Sequence, residues 1–295
     1  MSIARARVFA LCLVAGAACG GESADPGFVW CVQDADNSVC LAGSIHLLPP
    51  SAYPLPAVYG QVYEQAEILA FETDIGKLQS SEVQTRLYHA RRYPAGAGLQ
   101  DHLSAALFAK LAGVADEMGL SLSTLLRFRP WAVAGMIEMQ GFAAQDFRQS
   151  LGVDAHFYQR ARDAGKTILA LETLSHHLDL LTGMPAELAK AYLGYTVAHA
   201  KELADVPEQL YVLWRAGNAM EIAALTVDQL TALPKLYERL LYQRNRAWMD
   251  DIVALINGDE NAMVIVGALH LIGKKGLLAL LRERGYTVSR ARQRT

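Results

Sequence analysis

The sequence predicts an α/β (α+β) chain, a small mostly parallel or mixed sheet wrapped by helices and opened by a β-hairpin. Three observations predict it. Strand signals are short and widely separated, the long stretches between them carry helical periodicity, and a cysteine pair near the start brackets a turn.

The hairpin comes first. In FVWCVQDADNSVCLAG two apolar runs flank the turn-rich Asp34-Ala35-Asp36-Asn37-Ser38, which sets Cys31 and Cys40 opposite each other. A disulfide is expected there in an oxidising compartment. A metal pair is the weaker reading, because two isolated thiols lack the usual partner cysteines. Four more strand signals follow: AEILAFET (66–73), KTILALET (166–173), AMVIVGA (262–268) and YTVSRA (286–291).

Helices fill the intervals. Ser104 is placed to cap a helix through Met118, and Pro130 sits in the first turn of one reaching about Gly141. Pro185 opens another, and a long helix runs from Pro234 to about Asn257 before Gly258 stops it. Large helical insertions are therefore expected at about 80–150 and 175–257 of a single domain, 28–295, with no linker that would separate independent domains.

Composition narrows the function classes. About half of the 295 residues are hydrophobic, and 27 basic side chains face 30 acidic ones, so no basic excess points to nucleic acid. Arg282, Arg284, Arg290, Arg292 and Arg294 near the end read as solvated edge charges. At the start, Arg5 and Arg7 precede VFALCLVAGAAC and then the polar GGESADPG. That is a charged region, an apolar run too short to span a bilayer, and a small-residue cleavage zone. Residues 1–18 are thus expected to be a signal peptide, cleaved after Ala17 or Ala18, with 19–27 a flexible linker. Cys19, after Ala-Ala and before Gly-Gly, also resembles a bacterial lipobox, although Gly16 stands where leucine is usual. Soluble and lipid-anchored forms both remain open; either way the expected location is the bacterial periplasm or outer membrane.

The chemistry-bearing residues fall at strand ends. GSIHLL at 43–48 and GALHLI at 267–272 repeat Gly-x-x-His, while ILAFET and ILALET each finish an apolar run with an acid. Along the chain the order is His46, Glu72, Glu172, His270, each after an apolar run that reads as a buried strand. Ligands of open α/β sheets bind beyond the carboxyl ends of strands. Gly43 and Gly267 would let the backbone turn or approach another group closely. Imidazole with carboxylate suits a divalent transition metal or an acid/base pair. A plainer reading makes each histidine a satisfied core or turn residue, and lets Thr73 or Thr173 cap a helix. Helical phase adds two residues: Arg244 and Asn245 fall on the apolar stripe of Tyr237, Leu240, Leu241, Trp248, Ile252 and Leu255. An inward arginine needs an anion, either a site group or a structural glutamate. There is no His-Glu-x-x-His, Gly-x-Ser-x-Gly, phosphate loop or dinucleotide fingerprint. His176, His177, His89, His102, His156 and His199 read as surface or packing residues.

These pieces, in order, resemble the TraB/GumN family, related to the Tiki metalloproteases and more distantly to erythromycin esterases and haem-binding ChaN lipoproteins. The likeness runs from about Trp30 to Val288 through GSIH, YPLP at 53–56, FETD at 71–74, RPW at 129–131, GVD at 152–154 and LET at 171–173. It continues in WRAG at 214–217, RNRAW at 244–248 and VGALHLIGKKG at 266–276. The resemblance implies a metal-dependent hydrolase, in some relatives a protease, holding Mn, Co or Zn. It would make His46, His270 and Glu72 the metal ligands or acid/base groups, Glu172 a second acid, and Arg244 with Asn245 the stabilisers of an anionic intermediate. The substrate would be a peptide or small molecule, and any membrane attachment would be by lipid alone. The rival expectation is a non-enzymatic envelope lipoprotein holding haem or another small ligand in the same cleft.

Overall fold

A computed structural model describes residues 26–292; the signal segment, Cys19, the linker up to residue 25 and Arg294 lie outside the described residues. Six strands form one sheet: β1 (Val29–Gln33), β2 (Ser38–Ser44), β3 (Ile68–Phe71), β4 (Thr167–Ala170), β5 (Ala262–Gly267) and β6 (Val288–Arg290). Their spatial order is β4-β3-β5-β2-β1-β6. From β4 to β2 all neighbours are parallel, and β1 runs antiparallel to both β2 and β6. The mixed sheet and the opening hairpin are as the sequence predicts. Cys31 and Cys40 are register partners, joined by a disulfide with Cα atoms 4.0 Å apart. The turn residue Asn37 donates to the carbonyls of Leu255 (3.0 Å) and Gly258 (2.7 Å), tying the hairpin to the end of the long helix.

Parallel pairing explains the apolar runs. A parallel strand covered on both faces cannot alternate, and β5, AMVIVG, is buried over five consecutive residues. One strand departs from this. β4 was expected to be buried like β3, but it is an edge strand with largely exposed residues, and Leu169 is 41 % exposed. Only one side of an edge strand has a neighbour, so apolarity there reports less burial.

Apolar side chains gather in two clusters. One packs both sides of the sheet and includes Tyr59, Phe157, Trp214 and Trp248. The other lies among helices and includes Leu111, Val133, Leu193 and Leu236. Ser104 caps the helix Ala105–Glu117, and Pro130 opens the helix Pro130–Ala144. The long helix differs from expectation. It runs as Pro234–Tyr237, a π-helical segment Glu238–Tyr242, and then Gln243–Ile256. The Gln243 N–H bonds back to the Glu238 carbonyl, one residue further than an α-helix allows. Arg290 also departs from the solvated-charge reading: it donates to the Gly27 carbonyl at 2.6 Å and lies over the Trp30 ring. Among the described residues no helix is long and apolar enough to cross a membrane.

Candidate functional site

Because β2, β3, β4 and β5 are parallel, their carboxyl ends share one edge of the sheet. His46 follows β2, Glu72 follows β3, Glu172 follows β4 and His270 follows β5. The β3–β4 ladder extends past the strands, with the Glu172 N–H donating to the Glu72 carbonyl at 3.0 Å. The two acids therefore sit side by side.

Arg244 joins them from the long helix. Its Nη2 donates to Glu72 Oε2 at 2.6 Å and to Glu172 Oε1 at 2.7 Å, and its Nε donates to Glu172 Oε2 at 2.9 Å. Its Nη1 donates to His270 Nε2 and to the Leu240 carbonyl of the π segment, each at 3.0 Å. Its guanidinium lies over the Trp248 ring. Two carboxylates raise its proton affinity against the opposing effect of burial. A buried cation so fully paired is costly to disturb.

Asn245 orients His270. Its Nδ2 donates to the carbonyls of His270 (3.2 Å) and Lys275 (2.9 Å), which leaves Oδ1 to accept from His270 Nδ1 at 2.6 Å. The proton is thereby fixed on Nδ1, and the Nε2 lone pair faces Arg244. Burial keeps His270 neutral; despite the opposing charge of Glu72, with Arg244 and His46 adding to the effect, it is pulled down to about 3.

His46 is the opposite case. Its side chain is 48 % exposed, and its Nδ1 lies 3.1 Å from Asp154 Oδ2. Partial burial works against its charge, but the Asp154 carboxylate and Glu72 outweigh this and push it up to about 9. Asp154 reaches it because the Val153 N–H donates to the Ile45 carbonyl, pinning the start of the helix Val153–Ala164 beside the His46 segment. Ser44 Oγ donates to the other Asp154 oxygen at 2.9 Å.

Glu72 lies between the histidines. His46 Nε2 is 3.8 Å and His270 Nε2 is 3.7 Å from Glu72 Oε1, which also accepts from the Gly267 N–H at 2.7 Å. Burial would raise its proton affinity, but the Arg244 guanidinium, protonated His46 and the Gly267 N–H hold it well below the carboxylate range. Gly267 keeps this centre open. A Cβ there would lie 3.3 Å from Glu72 Oε1, 3.4 Å from His46 Nε2 and 3.5 Å from His270 Cδ2. Neither predicted glycine has a left-handed backbone. Gly43 serves close packing instead, since a Cβ would come within 2.5 Å of the Phe28 ring.

The six predicted site residues thus come together. Asp154 ends the GVD motif, and no spacing rule links it to His46 across the chain. His177, read as a surface or packing residue, holds Glu172 Oε1 through Nδ1 at 2.7 Å and reaches the same cleft. Thr173 does cap the helix Leu174–Thr182, whereas Thr73 Oγ1 is buried without a hydrogen-bond partner.

The residue types would suit a divalent ion, but their arrangement does not present them to one. Arg244 takes the His270 Nε2 lone pair and Glu72 Oε2, and His46 carries a proton between Asp154 and Glu72. Among the described residues no group of three or more His, Cys, Asp or Glu side chains is placed to hold a metal ion. The donor set as arranged does not fit.

The cluster opens onto a cleft of about 430 Å³ whose other walls include Leu47, Phe142, Leu181, Leu210, Leu240 and Leu269. Another cavity, about 480 Å³ beside the disulfide, is lined by Gln33, Gln61 and Arg290 and has no such acid/base cluster.

The protein YbaP of Escherichia coli (strain K12), described as uncharacterized, is 27 % identical over 242 residues, covering 82 % of this chain and 87 % of that one. YbaP of Shigella flexneri matches to the same extent. No solved structure matches the chain. The TraB/PrgY/gumN family matches residues 28–290, and the chain belongs to that family.

Proposed function

We propose that the chain is an exported hydrolase that cleaves an acyl bond, ester or amide, in the space between His46, Glu72 and His270. One observation carries this reading: two histidines and a carboxylate converge on a gap that Gly267 leaves open, at the head of a cleft. A substrate carbonyl in the gap accepts from protonated His46 Nε2, whose proton Asp154 and Glu72 support. A water held by Glu72 Oε1 attacks the carbonyl carbon. His46 delivers its proton to the leaving oxygen or nitrogen as the acyl bond breaks; with that neighbouring charge gone Glu72 becomes a better base, takes the water proton and passes it back to His46. Arg244 and the Gly267 N–H fix the carboxylate, and Asn245 with Arg244 keeps His270 neutral and in place. The Cys31–Cys40 disulfide supports export to the periplasm or outer membrane, because such bonds persist in oxidising compartments.

Dependence on Mn, Co or Zn is the family-derived form of this reading, and it requires Arg244 to leave His270 and Glu72. The test is to purify the mature protein, measure its metal content, and assay ester and peptide hydrolysis beside His46→Ala and His270→Ala. Loss of hydrolysis in both variants supports the proposal; equal rates in all three proteins overturn it.

A second reading is a binding lipoprotein for haem or another envelope ligand, favoured by the pairing of both glutamates with Arg244. A haem titration followed in the visible spectrum separates the two, since binding without turnover belongs only to this one.

A further inference from the structure

Resting on the hydrolase reading, we infer that the substrate is a neutral carboxylic ester whose aliphatic part fills the cleft, rather than a peptide. Polarity in the cleft is segregated. Every ionisable lining residue, His46, Glu72, His177, Arg244 and His270, belongs to the one hydrogen-bonded and ion-paired cluster. Ser44, the one other polar side chain of the lining, gives its hydroxyl proton to Asp154, and beyond these residues the walls are Leu, Ile, Phe and Ala side chains with no charge to meet a substrate group.

A peptide brings an amide N–H and C=O at every residue, and each costs free energy if buried without a partner. Extended peptides usually satisfy these groups on a strand edge. The edge strands here are β4 and β6, and neither contributes a residue to the cleft. An aliphatic chain makes no such demand. The cleft volume of about 430 Å³ lies within the usual range for small-molecule sites, roughly 300–1,000 Å³. The apolar walls also offer no cation or anion for a charged chain, so the occupant is neutral and its one polar group is the reacting ester.

The reaction balances as hydrolysis. Water oxygen bonds to the carbonyl carbon, the bond from that carbon to the alcohol oxygen breaks, and the two protons of water end on the alcohol and the acid.

The experiment uses the mature protein with p-nitrophenyl esters of straight-chain acids from two to twelve carbons, and with uncharged hexapeptides. In parallel, 1-octanol and 1-butanol binding is measured by calorimetry, in wild type and in Leu181→Glu, a partly exposed wall position. The expected result is kcat/KM rising up to about fourfold per added methylene until the cleft is full, and octanol binding far tighter than butanol. Both trends should flatten in Leu181→Glu, with no peptide cleavage. Ester hydrolysis indifferent to chain length, or peptides cleaved better than esters, overturns this inference and leaves the hydrolase reading standing. Octanol binding with no hydrolysis of any ester overturns the hydrolase reading, and the ester assignment with it.

Discussion

Arg244 Nη1 donates to His270 Nε2 at 3.0 Å, so the second Gly-x-x-His histidine spends its free lone pair on a guanidinium. The same group holds Glu72 and Glu172, which makes Arg244 the electrostatic centre of the strand-end cluster. A fixed cation bound to the carboxylates neutralises charge that would otherwise be buried unpaired.

Removing that cation exposes the donors. Arg244→Ala is expected to cost about 3–5 kcal/mol, the usual penalty for orphaning buried charges. Thermal melts with and without zinc should show a metal-dependent rise in Tm for the variant and none for the wild type. A wild-type rise equal to the variant's would show that Arg244 does not guard the donors.

Gly267→Ala separates the gap from the fold. The backbone there, φ −51° and ψ 137°, accepts alanine, but the methyl group fills the space before Glu72 and His46. Hydrolysis should fall about a hundredfold or more while stability drops by no more than about 1–3 kcal/mol, the range for overpacking. Steady-state kinetics beside a urea melt checks both; unchanged kinetics would mean that the gap is not where substrate reacts.

Asp154→Asn tests the support of His46. In the folded protein His46 titrates near 9, above the ordinary histidine value, so protonation stabilises the fold fully below about 6.5 and that contribution is lost as pH rises to about 9. The variant should lower the His46 midpoint toward 6.5, seen by NMR of the imidazole protons, and flatten the stability profile in that window. His270 works in the opposite direction. Held neutral with a value near 3, it makes stability fall as pH drops below about 6.5, because the unfolded chain takes up the proton first.

The hairpin disulfide should also be measurable. Replacing Cys31 and Cys40 by serine opens a short loop and is expected to cost about 2–4 kcal/mol in urea unfolding. Wild type treated with reductant should match the double variant.

The fold was largely legible because the apolar runs ILAF, TILA and AMVIVG announce strands and the proline and serine signals announce helices. Arg244 and Asn245 were legible through helical phase, which survives the π segment because both residues lie after it on the continuous helix Gln243–Ile256. What stayed hidden depends on contacts between distant segments. Asp154 meets His46 only after the Val153–Ala164 helix docks on the loop that follows β2, and no local pattern encodes that. His177 was hidden because its partner Glu172 precedes the helix that carries it. The edge position of β4 was hidden because apolar composition reports pairing and packing together.

The central claim is chemistry at the gap between His46 and Glu72. The direct measurement is kcat/KM for a neutral p-nitrophenyl ester, using protein dialysed against a chelator, for wild type and His46→Ala. Removing His46 leaves the Asp154 carboxylate without its partner, so a urea melt of the variant accompanies the assay and shows that the protein measured is folded. The account predicts hydrolysis by the metal-free wild type and a loss of about a hundredfold or more in the variant. Equal rates for the two proteins would contradict it.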